Sequence, residues 1–206
     1  MITIGLTGGI AAGKSVVSQM LAELGARVVD VDKVAHETYR KGAPGHERLR
    51  AAFGDQVIGP DGEIDRRVLG GLVFGRPDQM KKLTDVVWPL TRARLEEVKA
   101  AAAAEPGVLV FEAAVLIEAG WTDLVDEVWL VEAPVEVARS RLMARNGLSQ
   151  QQADDRIASQ LSSEERRRHA KVVIDNSGDL EALRQRVAAA WSELQQRLAA
   201  AAPSPA

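Results

Sequence analysis

Residues 8–15 read GGIAAGKS and directly follow the apolar run MITIGLT (1–7). Glycine weakens regular structure, so three glycines in eight positions at a strand end imply that the backbone itself is in use. Gly8, Gly13, Lys14 and Ser15 match G-x-x-x-x-G-K-[ST], a pattern that cradles phosphate. The N–H groups of Gly8, Gly9, Ile10, Ala11, Ala12, Gly13, Lys14 and Ser15 would curl around a helix N-terminus, whose dipole favours anions. Lys14 would bring a flexible charge to the β- and γ-phosphates of a nucleotide, and the Ser15 hydroxyl is a ligand for Mg²⁺.

Working outward, SVVSQMLAELG (15–25) reads as a helix ended by Gly25, and ARVVDVD (26–32) as a second strand ending in Asp30 and Asp32. Strand, loop, helix, strand is the opening of an α/β domain with a parallel sheet. The second strand of such a sheet usually lies near the first, so its end can approach the phosphate loop. A carboxylate there can hold Mg²⁺ through water or accept a proton from an attacking hydroxyl. The spacing does not choose between Asp30 and Asp32. Glu112 closes the apolar run VLVF (108–111) and reads equally as a metal neighbour or as an ordinary strand-end carboxylate, and Glu118 is just as open.

Residues 33–100 change character. KVAHETYR and HERLRAAFG look helical across the turn KGAPG, GPDGEI is a turn, and Asp65 is placed to cap RRVLGGLVFG. A further helix is expected from Gln79 to about Val87, with Pro89 beginning a long one. This is a helical insertion beside the sheet. Strands return at 108–116, 127–133 and 171–175, with a helix over VEVARSRLMAR (135–145) and a closing one over 179–198. The tail 199–206 is expected to fray.

Arg141 and Arg145 share one helix face ahead of an arginine-rich polar segment that could close over a nucleotide and exclude water. Arg141 reads as functional, Arg145 and Arg156 fall evenly between function and surface, and Arg166, Arg167 and Arg168 read as a solvated, salt-bridged face. His36, His46 and His169 have no metal spacing and read as surface or packing residues. Trp121, Trp129 and Trp191 read as core.

The totals set the bounds. The 206 residues suit one domain with an insertion, and 46 % apolar with 27 % charged residues is globular composition. A net charge of −3 argues against a nucleic-acid or membrane-surface binder. No cysteine is present, which excludes disulfides and fits a reducing compartment, so the expected location is the cytoplasm.

The chain resembles the dephospho-coenzyme A kinase family over about residues 1–195. The likeness is carried by IGLTGGIAAGKS (4–15), VVDVD (28–32), PG (44–45), FG (53–54), DGEIDRRVLGGLVF (61–74), RNGLSQQQADDRIASQ (145–160) and IDNSG (174–178). The resemblance implies a three-layer α/β phosphate-loop (P-loop) fold with a parallel sheet. Residues 1–32 and 101–198 would form the core, 33–100 the helical acceptor-binding insertion, and 146–168 the lid. It implies transfer of the ATP γ-phosphate to the ribose 3′-hydroxyl of dephospho-coenzyme A, with Mg²⁺, in a monomer or weak homo-oligomer. It puts the base on Asp32 and charge stabilisation on Lys14 and Arg141. Arg145, Asn176, Ser177 and Gly178 would border the nucleotide, and Ser15, with Asp32 or Glu112, would hold the metal. Two positions depart from the usual family pattern: Trp88-Pro89 stands in place of His-Pro, and EAAVLIE (112–118) in place of Asp-x-Pro-Leu-Leu-x-Glu. Both variants are similar to the kinase domain of the animal bifunctional coenzyme A synthase.

Overall fold

The computed structural model describes residues 1–201. They form two compact units: Met1–Val29 with the chain from Glu105 on, and Asp30–Ala104.

The first unit is built on a five-stranded sheet of order β2-β3-β1-β4-β5. The strands are β1 (Ile2–Gly8), β2 (Arg27–Asp30), β3 (Val108–Glu112), β4 (Glu127–Glu132) and β5 (Val172–Asp175). β1 pairs in parallel with both β3 and β4, and β4 with β5. β3 therefore lies between β1 and β2, so the second strand is not the neighbour of the first. Burial explains the order: Val108–Phe111 of β3 are buried, whereas every residue of β2 is half-buried, as suits an edge.

Alternation then divides each strand between two faces. Ile4, Leu6, Val108, Val110, Trp129 and Val131 join a core closed by α1 (Lys14–Glu23) and α9 (Leu180–Ala201). Gly5 points the other way, where a Cβ would stand 2.5 Å from Leu116 Cδ2. Trp121 and Trp129 are buried and Trp191 is half-buried against the core. α9 extends through Ala201, so the expected tail is helical at 199–201; the rest of it, 202–206, lies outside the described residues.

Glu127 opens β4 as a buried carboxylate. It accepts hydrogen bonds from Lys171 Nζ at 2.6 Å, Arg197 Nη2 at 2.7 Å and Trp129 Nε1 at 3.2 Å. Burial pushes its pKa up, but the bonds from Lys171 and Trp129 and the charge of Arg197 outweigh burial and hold it below the usual carboxylate range. With the folded pKa below the unfolded one, this stabilisation is full above the unfolded value and is lost as pH falls through the folded one. Glu127→Ala is expected to cost about 2 kcal/mol at pH 7 in denaturant melts, since both cations are partly solvated. The gap from wild type should narrow as pH falls below the usual carboxylate range and through the depressed folded pKa.

The second unit is helical: α2 (Val31–Glu37), α3 (Pro44–Phe53), α4 (Arg66–Val73) and α5 (Pro77–Ala102). Leu49, Phe53, Val57, Ile64, Leu69, Val73 and Val87 make its core. Asp30 caps α2 through Lys33 N–H at 3.1 Å, so Asp32 belongs to the first helical turn rather than to the strand. Asp65 caps α4 through the N–H groups of Arg67 and Val68. Pro89 starts no helix; it lies inside α5. A proline there lacks the N–H that would bond to the carbonyl four residues back. The helix continues past it, with the Thr91 hydroxyl donating to the Val87 carbonyl at 2.9 Å. No helix among the described residues is long and apolar enough to cross a membrane.

Candidate active site

β1 delivers the chain into the loop at Gly8, where a Cβ would stand 2.4 Å from the Val131 carbonyl oxygen. Only glycine permits that approach to β4. The loop turns through Ala11 at φ 57 and Gly13 at φ 99, and the Ala12 N–H closes onto the Gly9 carbonyl at 3.1 Å. α1 begins at Lys14 with no side chain capping its first amides, which leaves an N-terminus suited to anions. Lys14 Nζ donates to the Gly8 carbonyl at 3.2 Å, folding the cation back over the loop. Ser15 is exposed.

Asn176, at the end of β5, is buried and holds the loop from behind. Its Nδ2 donates to the Ala12 carbonyl at 2.8 Å, and a Cβ on Gly13 would stand 2.2 Å from the same nitrogen. Its own carbonyl accepts from Arg141 Nη2 at 3.2 Å. Arg141, on α6 (Val135–Asn146), keeps its Nη1 buried with no hydrogen-bond partner. Ser177 turns back to Asp175 through its N–H and hydroxyl, and Gly178 follows. Arg145 is exposed and donates to Asn146 Oδ1 at 3.0 Å; nothing ties it to the loop.

Glu112 ends β3 beside Leu6 of β1, and its Oε2 accepts a 2.6 Å hydrogen bond from the Ser18 hydroxyl on α1. A fixed carboxylate and an exposed hydroxyl are hard oxygen donors that suit Mg²⁺, an ion that usually takes few protein ligands and keeps phosphate and water. The residues present therefore fit the metal.

The polar segment folds as α7 (Gln150–Ala158) and α8 (Ser163–His169). The expectation of a solvated arginine face holds for Arg167 and Arg168 but not for Arg166, which is 3 % exposed and lines a cavity of about 370 Å³ with Gly9, Ile10 and Gln160. The sign of the run was legible but its inward member was not.

In the helical unit, His36, Tyr39, Arg40, Glu63, Ile64 and Arg66 line a second cavity of about 300 Å³. Arg66 Nη1 stands 3.0 and 3.2 Å from the two ring nitrogens of His36, whose ring meets Tyr39 edge-on at 5.7 Å. Burial and the Arg66 charge push the His36 pKa down, against the pull of Asp32 and Asp30, which favours the neutral ring, and Arg66 supplies the cation. Asp32 is exposed on the first turn of α2. His36 thus lines a pocket instead of serving as plain surface. His46 is buried and bonded to the Gly62 carbonyl at 2.8 Å, a packing role.

The family model for dephospho-CoA kinase matches residues 2–182. A dephospho-CoA kinase of Geobacter sulfurreducens is 45 % identical over 195 residues, 94 % of this chain and 98 % of that protein. One of Moorella thermoacetica is 43 % identical over 97 % of this chain and 95 % of its own length. Among solved structures, TT1252 from Thermus thermophilus superimposes with a TM-score of 0.77 at 37 % identity, covering 94 % of this chain and 97 % of that one. Shikimate kinase from Bacteroides thetaiotaomicron shares the fold, with a TM-score of 0.56 at 16 % identity over 94 % of this chain and 98 % of its own. With a phosphate loop on a parallel sheet and this likeness along almost its whole length, the chain belongs to the dephospho-CoA kinase family.

Proposed function

We propose that the protein transfers the γ-phosphoryl group of ATP to the ribose 3′-hydroxyl of dephospho-CoA, giving CoA and ADP. The observation that carries this is the uncapped N-terminus of α1 behind a glycine-built loop, with Lys14 folded over it, in a chain of this family. The 3′-oxygen attacks the γ-phosphorus, the bond from that phosphorus to the β–γ bridging oxygen breaks, and the hydroxyl proton passes to Asp32. Lys14 follows the phosphoryl charge. Arg141, braced by the Asn176 carbonyl, offers its unpartnered Nη1 to the same charge. Ser15 and Glu112 would hold Mg²⁺, which supplies charge neutralisation on the phosphates when bound. Asn176 acts by holding the loop; Ser177 and Gly178 border the nucleotide.

Residues 33–100 serve as the acceptor-binding insertion. Their cavity offers a fixed cation and two rings, groups that suit the diphosphate and adenine of dephospho-CoA. Arg66→Ala is expected to raise KM for dephospho-CoA about tenfold with kcat and KM for ATP nearly unchanged, read from initial rates. The absence of cysteine fits work in the reducing cytoplasm, as a monomer or weak homo-oligomer.

An acceptor screen tests the proposal. ADP release should depend on dephospho-CoA and stay at background with a nucleoside monophosphate or a sugar acid. Faster release with either of those would overturn it.

A further inference from the structure

Arg166, Arg167 and Arg168 are consecutive, yet they divide. Arg167 and Arg168 are each 63 % exposed on their side chains and pair with Glu132 and with Glu164 and Glu165. Arg166 is buried. Its Nη2 donates to Glu118 Oε1 at 3.2 Å and its Nη1 to the Leu161 carbonyl, while its Nε is buried with no hydrogen-bond partner. Glu118 Oε2 is buried without a partner as well. A buried ion pair kept only for packing should satisfy its polar atoms, because an orphaned group loses its hydration for nothing. This pair falls short on both sides.

The surroundings show what the unused capacity faces. Arg166 Nη1 and Gln160 Oε1 each lie 3.7 Å from the point where a Cβ on Gly9 would stand. Gln160 Oε1 accepts a 2.7 Å hydrogen bond from the Ile10 N–H. A neutral oxygen from the polar segment thus occupies a loop donor of the kind that binds phosphate oxygen. Arg166 stands beside that oxygen, on the wall of the cavity that Gly9 and Ile10 also line.

We infer that Arg166 is a phosphate-binding residue of this site: its guanidinium contacts the β- and γ-phosphates of the nucleotide held by the loop, and Glu118 is the positioning residue that orients it. This rests on the reading of residues 8–15 as the ATP site. Arginine suits the task because its planar fork commits one edge to Glu118 and keeps another for a phosphate oxygen. Binding of phosphate would displace Gln160 from the Ile10 N–H.

The test is calorimetry of ATP, ADP and AMP with no acceptor present, on wild type, Arg166→Met and the double variant Arg166→Met/Glu118→Leu. The double variant removes the ion pair as a whole, so it is more stable than the single one, which leaves Glu118 without its cation. Both are expected to bind ATP and ADP about tenfold to a hundredfold more weakly than wild type and to bind AMP equally well. Glu118→Gln should lie between them and wild type. Wild-type affinity for ATP and ADP in the double variant would overturn the inference and reduce the pair to packing. A wild type that binds ATP but does not phosphorylate dephospho-CoA would instead sink the acceptor assignment, with these binding results still deciding Arg166.

Discussion

Lys14→Met should lower kcat about a thousandfold, with the protein as stable as wild type to heat. The magnitude follows from what phosphoryl transfer asks of a protein. Little covalent chemistry is needed, so a preplaced charge aimed at the moving group is worth as much as an oxyanion-hole donor. Stability should hold because Lys14 lies on a half-exposed loop outside the buried core, where its 3.2 Å hydrogen bond to the Gly8 carbonyl is partly solvated. Rates from an ADP-release assay beside a thermal melt check both halves. A variant within tenfold of wild type would remove Lys14 from the chemistry.

The second large effect falls on Asp32. Asp32→Asn keeps the size of the side chain and removes its capacity to take a proton, so kcat should drop by about 10² to 10⁴. Affinity for ATP, measured without acceptor, should not change. The residue is exposed on the first turn of α2, where a negative charge adds about 0.5 kcal/mol through the helix dipole. Asp30 provides the control. It is spent on capping α2 through Lys33 N–H, and Asp30→Asn keeps an acceptor there and should leave turnover close to wild type. If Asp30→Asn rather than Asp32→Asn abolished turnover, the two roles would have to be exchanged.

What the sequence disclosed and what it withheld have separate physical causes. The phosphate loop was legible because glycine positions, a lysine and a flanking apolar strand are local signals, and the structure shows why glycine is needed at 8 and 13. Strand order is non-local. β2 was expected near β1, and the more apolar β3 stands between the two. Pro89 read as a helix start because proline disfavours helix interiors, and packing of α5 along the helical unit overrode that preference. Arg166 was hidden in a run of three arginines. The signal that would have found it is the cap: Ser162 opens α8 with Glu165 three residues on, so Leu161 precedes the cap and Arg166 sits at the position that usually packs back against that residue. The pocket of His36, Tyr39 and Arg66 had no such signal, since two segments far apart in sequence must fold before it exists.

As read above, the chain places phosphate on one particular hydroxyl. The most direct measurement is the product of ATP, Mg²⁺ and dephospho-CoA incubated with the purified protein, its mass taken and its phosphorus–proton couplings resolved by NMR. The product should carry one added phosphate, coupled to the ribose 3′ proton, with one ADP released per product. Phosphate on another position, or ADP release without a phosphorylated acceptor, would contradict it.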